Sequence, residues 1–188
     1  SKDLMLVILK RLGVSGALFK SLQYAGSTIS QMSVDSRMVL TNMAIESGAT
    51  NGIIEPDGKT LDFLKGRTNR AFDAIQADKD AEYAETMEFN AEDIKEPVVA
   101  VPPKPSNAVG VTDVEGTKID QAFIGACTNG RLEDLRIAAQ ILKGRKVDKF
   151  TKVIVIPASQ EVFKAALAEG LIATFVEAGA VVGPPTCG

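Results

Sequence analysis

The chain has 188 residues, 45% of them hydrophobic and 24% charged, a balance that suits one large or two small globular domains and excludes disorder as the default state. Its net charge is −3 with the basic residues scattered, which excludes a nucleic-acid-binding stripe, and no apolar run approaches the ~20 residues needed to cross a bilayer. Histidine is absent, so a Ser-His-Asp or Cys-His mechanism, or a His-containing zinc site, cannot be built from this chain alone.

Residues 2–12 read as a buried helix: Asp3 lies in the first turn, apolar residues crowd Leu4 to Leu9, and Gly13 follows as a stop. The mixed pattern at 17–25 is compatible with a strand ending at Gly26, with a helix as the alternative. Ser33 then precedes a helical pattern over 34–47, closed by Gly48, in which Asn42 and Glu46 stand four apart. Residues 52–55 form a short strand candidate stopped by Pro56, and Asp57 is placed to cap a helix through Leu61 and Leu64.

The stretch 66–92 is polar and charged, with one weak strand signal at 83–89. Four prolines surround Val98-Val99-Ala100-Val101, the pattern of an edge strand running into an extended linker. The expected organisation is therefore a first domain at 1–95, a linker at 96–115 and a second domain at 116–188.

Beyond the linker the periodicity alternates. A strand at 119–124, a helix at 131–142 and a β-branched strand at 153–156 make a βαβ unit. The helix has Glu133 and Asp134 in its first turn and Gly144 as a stop, with Lys143, Arg145 and Lys146 at its positive-friendly end. Ser159 can cap the next helix; a further helix at 171–177 and a strand at 180–182 follow. The expected class is α/β with a mostly parallel, helix-covered sheet.

Two cysteines make no disulfide framework, and composition alone favours burying both as small hydrophobes. Their placement keeps another reading open. Cys127 lies in a strand-to-helix loop and Cys187 just after a strand, so both fall at the carboxyl edge of the expected sheet, where α/β folds bind ligands and where a helix start favours a thiolate. A soft metal or an iron-sulfur cluster would suit such thiolates, although a cluster takes three or four of them. By spacing alone, inert or isolated reactive thiols remain the alternatives.

The run Phe123-Ile124-Gly125-Ala126-Cys127-Thr128-Asn129-Gly130-Arg131-Leu132-Glu133-Asp134-Leu135-Arg136 resembles the first cysteine motif of the aconitase superfamily, in the branch of isopropylmalate isomerase and homoaconitase large subunits. Gly183-Pro184-Pro185-Thr186-Cys187-Gly188 is similar to the start of that family's second motif, in which a further cysteine follows two residues later. A third match, Arg37 to Ala49, resembles the helix carrying the family's active-site asparagine and glutamate, here Asn42 and Glu46.

The resemblance covers essentially the whole chain. It implies a three-layer α/β/α fold in two consecutive domains, the second incomplete here, and a hydro-lyase that isomerises a hydroxy-polycarboxylate by dehydration and rehydration. It implies Cys127 and Cys187 as two of three ligands of a 4Fe-4S cluster, Asn42 and Glu46 as catalytic groups, and Thr128 and Asn129 as neighbours of the cofactor. It also implies a partner small subunit with a swivelling domain that carries the serine base.

Ala126 departs from the small hydroxyl residue usual before the cysteine, and the family's upstream histidines and downstream substrate-binding arginines lie outside these residues. The chain by itself is therefore expected to be inactive and to lack the cluster. The rival reading is a non-catalytic α/β scaffold or interaction module. Isopropylmalate, homoaconitate and citramalate types all stay open as the substrate. Without a secretory signal pattern at its start, the expected location is cytoplasmic, with neither membrane nor nucleic acid as partner.

Overall fold

Helix α1 (Lys2–Leu12) anchors the core of the first of two units, Ser1–Glu115 and Gly116–Gly188, into which the chain divides in the computed structural model, which describes residues 1–187. Its apolar run buries Leu4, Met5, Leu6, Ile8 and Leu9, and Asp3 and Lys10 with Arg11 oppose the two ends of the helix dipole. Gly13 stops it at φ 72°, donating its N–H to Leu9 O at 2.7 Å.

Around α1 gather Tyr24, Ile29, Val39, Leu40, Met43 and Ala108. Burial pushes the Tyr24 phenol up to about 12, and its hydroxyl reaches Met5 Sδ at 3.6 Å.

Strands β1 (Ser21–Gln23) and β2 (Asn51–Ile53) pair in parallel, joined by α2 (Ser27–Gln31), α3 (Val34–Asn42) and a 3₁₀ turn, Met43–Ser47. Ser33, which precedes the helical pattern, caps α3 by accepting from Ser36 N, and Asp57, as expected, caps α4 (Gly58–Leu64) by accepting from Thr60 N. The strand expected at 17–25 shortens to β1 because Phe19 takes φ 60°, outside the extended region.

No strand forms at 83–89. Instead side chains strap this charged stretch down: Tyr83 Oη donates to Gln23 Oε1 at 2.9 Å, and Arg11 donates to Glu88 O at 3.0 Å while lying over the Phe89 ring.

The segment 96–115, expected as an extended linker, folds as a hairpin of β3 (Val98–Ala100) and β4 (Ala108–Gly110). Asp3 accepts from Val98 N at 2.7 Å, and Ala108 enters the core beside α1. Pro97 precedes β3, and Pro102, Pro103 and Pro105 sit between the strands, where no ladder donor is required of them.

In the second unit β5 (Gln121–Gly125), β6 (Lys152–Ile156) and β7 (Val181–Val182) form a parallel sheet in the order 5-6-7. The connections are α5 (Ala126–Asn129) with α6 (Leu132–Leu142), and α7 (Gln160–Ala168) with α8 (Leu171–Ala178). Ser159 caps α7 through Val162 N.

Strands added in one direction by right-handed crossovers send their helices to one face. Leu135, Ala139, Ala166 and Phe175 of α6, α7 and α8 accordingly pack on Val153 and Val155, while Phe123 and Val181 remain exposed. The class is α/β, as expected. Among the described residues no helix is long and apolar enough to cross a membrane.

Candidate active site

Strand β5 ends in a sharp turn that sets Cys127 beside the end of β6. Gly125 has φ 117°, and a Cβ there would come within 2.0 Å of Ile156 O. At Gly130 a Cβ would lie 2.5 Å from Ala126 O and 2.7 Å from Ile156 O. Only glycine permits this approach at both positions. Between them Ala126 is buried with φ 59°, a left-handed conformation costing an alanine about 1–2 kcal/mol, so the turn must be held by its surroundings.

One restraint is the bond from Ala158 N to Gly130 O, at 2.8 Å. Another is Asp134, which accepts from Asn129 Nδ2 and from Arg131 N, each at 3.0 Å. The side chain three residues into α6 thus closes a capping arrangement onto the backbone before it.

Cys127 lies in the single helical turn α5 rather than in an open loop, with its Sγ 3.9 Å from Thr128 Oγ1. Both cysteines are exposed and neither forms a disulfide, which corrects the burial that composition favours. The physical reason is their position past the ends of β5 and β7, outside the layer filled by the helices.

Those strands flank β6 in parallel, so both cysteines follow strand ends at the same edge of the sheet. Gly183 guides the second one: its N–H donates to Val155 O at 3.0 Å, and a Cβ there would meet Ile156 Cδ1 at 2.5 Å. Gly188, which follows Cys187 in the second motif, lies outside the described residues.

In the first unit the continuous helix expected over 34–47 changes to 3₁₀ at Met43, between Asn42 and Glu46. In an α-helix four residues advance about 40° around the axis, and in a 3₁₀ turn about 120°, so the two side chains share a junction rather than one helix face. Both are exposed.

Ser47 fixes the turn by donating to Ala44 O at 2.7 Å, and Gly48 closes it at φ 81°. Strand β2 presses on it directly, since a Cβ on Gly52 would lie 2.8 Å from Thr41 Cα and 2.9 Å from Ala44 Cβ.

The donor chemistry at the sheet edge fits an iron-sulfur group in kind, because thiolates are its usual ligands. Two observations agree with a polar group being received there: the thiols face outward, and Asn129 Oδ1 and Arg131 Nε are buried without hydrogen-bond partners. Among the described residues no three His, Cys, Asp or Glu side chains gather to hold a metal, and the sequence has two cysteines, so a third thiolate must be supplied by other residues. The sequence reading missed the part played by Asp134, although an acidic residue three after Arg131 is the signal of such a cap.

The sequence profile of the Aconitase family (aconitate hydratase) matches residues 1–115 and 110–188. The 3-isopropylmalate dehydratase large subunit 1 of Pyrococcus abyssi (strain GE5 / Orsay) is 53% identical over 189 residues, covering 100% of this chain and 44% of that protein. The 3-isopropylmalate dehydratase large subunit of Sulfurihydrogenibium sp. (strain YO3AOP1) is 51% identical over 187 residues, covering 100% of this chain and 43% of its own length. The probable 3-isopropylmalate dehydratase large subunit of Methanothermobacter thermautotrophicus is 50% identical over 188 residues, with 100% and 45% covered. The chain spans less than half the length of these curated relatives.

Proposed function

The chain belongs to the aconitase family, and we propose that it is part of a 4Fe-4S hydro-lyase large subunit, of the 3-isopropylmalate dehydratase or homoaconitase type. Its reaction removes water from a hydroxy-polycarboxylate and re-adds it across the resulting alkene. The supporting observation is the pair of exposed, non-disulfide cysteines following strands at one edge of a parallel sheet, in a chain about half identical to such large subunits over its full length.

In this reading Cys127 and Cys187 hold the cluster with a third thiolate from beyond these residues, and Thr128 and Asn129 sit beside it. When bound, the cluster supplies a Lewis-acidic iron that polarises substrate oxygens. Asn42 and Glu46 orient the hydroxyl or water that departs and returns. Their exposure leaves both accessible to a substrate. The small subunit with the swivelling domain supplies the serine base, and the 188-residue chain alone is inactive.

Isopropylmalate dehydration by the full-length protein with its small subunit, lost in Cys127→Ser, is the expected result. Turnover by the isolated chain would contradict the assignment.

A further inference from the structure

The turn carrying Cys127 contains a buried alanine at φ 59°, and its close approach to Ile156 O restrains its two ends, at Gly125 and Gly130. A side chain adds a further tie on the α6 side. Asp134, in the first turn of α6, receives Asn129 Nδ2 on one carboxylate oxygen and Arg131 N on the other, both at 3.0 Å. Asn129 follows Cys127 by two residues in the same helical turn, so fixing its side chain fixes the backbone that presents the thiol. An Asp side chain needing only the helix cap would satisfy Arg131 N alone; the second bond reaches back across Gly130.

We propose that Asp134 is a positioning residue for Cys127, acting through the side chain of Asn129. The functional meaning of this assignment rests on the reading of Cys127 as a cluster ligand, but its geometry does not. The two fail separately, because uptake of iron by the wild-type protein tests the ligand reading and reactivity of the metal-free protein tests the clamp.

The experiment is alkylation of metal-free full-length protein with iodoacetamide, followed at Cys127 and Cys187 separately by peptide mass spectrometry. Asn129→Ala removes the clamp and leaves the cap, so it carries the test even where Asp134→Ala impairs folding. The expected result is a change of roughly threefold or more in the Cys127 rate for Asn129→Ala and for Asp134→Ala, with no further change in the double variant and an unaltered rate at Cys187. The exchange Asn129→Asp with Asp134→Asn, which can re-form the side-chain bond with donor and acceptor reversed while the amide oxygen at 134 still accepts from Arg131 N, is expected to bring the rate back. An Asn129→Ala protein whose Cys127 reacts at the wild-type rate would overturn the proposal and leave Asp134 a helix cap only.

Discussion

Arg37 donates to Asp57 at 2.6 Å from a position only 4% exposed, and the same guanidinium reaches Ile29 O at 3.0 Å and Ser30 O at 3.1 Å. One side chain of α3 therefore closes the carbonyl end of α2 and grips the residue that caps α4. Helix α3 ends at Asn42, so this network fixes the element that leads into the candidate catalytic pair. Arg37→Met would remove the hydrogen bonds of this buried guanidinium to Ile29 O, Ser30 O and Asp57 and is expected to destabilise the first unit by about 1–3 kcal/mol, measured by urea unfolding.

The same pair gives a pH dependence. The Arg37 guanidinium, with help from the Thr60 N–H, holds the Asp57 carboxyl well below the usual carboxylate range. A depressed folded-state pKa contributes stability that is fully present above the unfolded value, about 3.9, and is lost as pH falls through the lower folded value. Unfolding midpoints taken at pH 7 and at pH 3 should therefore differ less for Asp57→Asn than for the wild type.

Gly125→Ala would place a methyl group against Ile156 O at a backbone angle hostile to side chains. The expected cost is about 2–4 kcal/mol, confined to the unit containing β5–β7 and read by denaturant unfolding of that unit.

Asn42→Ala and Glu46→Gln test the other unit. Both side chains are exposed, so thermal unfolding should change little, about 0.5 kcal/mol or less. In the full-length enzyme with its small subunit, kcat should fall by about tenfold or more in each. Full turnover in either variant would remove that residue from the mechanism.

Much of the architecture was legible because its signals are local. Gly13 after an apolar run, Asp57 and Ser159 as caps, and β-branched residues at 153–156 each act within a few residues of themselves. The 3₁₀ turn after Asn42 was not legible, because a five-residue segment is too short for its apolar pattern to tell a period of 3.6 from one of 3.0. The hairpin within 96–115 escaped because β4 is three residues long and its place depends on Ala108 reaching α1, a tertiary contact.

At the site, the cysteine motifs gave the positions of Cys127 and Cys187, and strand order explains why both follow the same sheet edge. The bond from Asn129 to Asp134 across Gly130 depends on how the chain turns, which no spacing rule states.

The most direct measurement is iron and acid-labile sulfide content after anaerobic reconstitution of the full-length protein, comparing wild type with Cys127→Ser and Cys187→Ser. The account predicts about four of each per wild-type chain and a large loss in both variants. Full iron and sulfide in Cys127→Ser would contradict it.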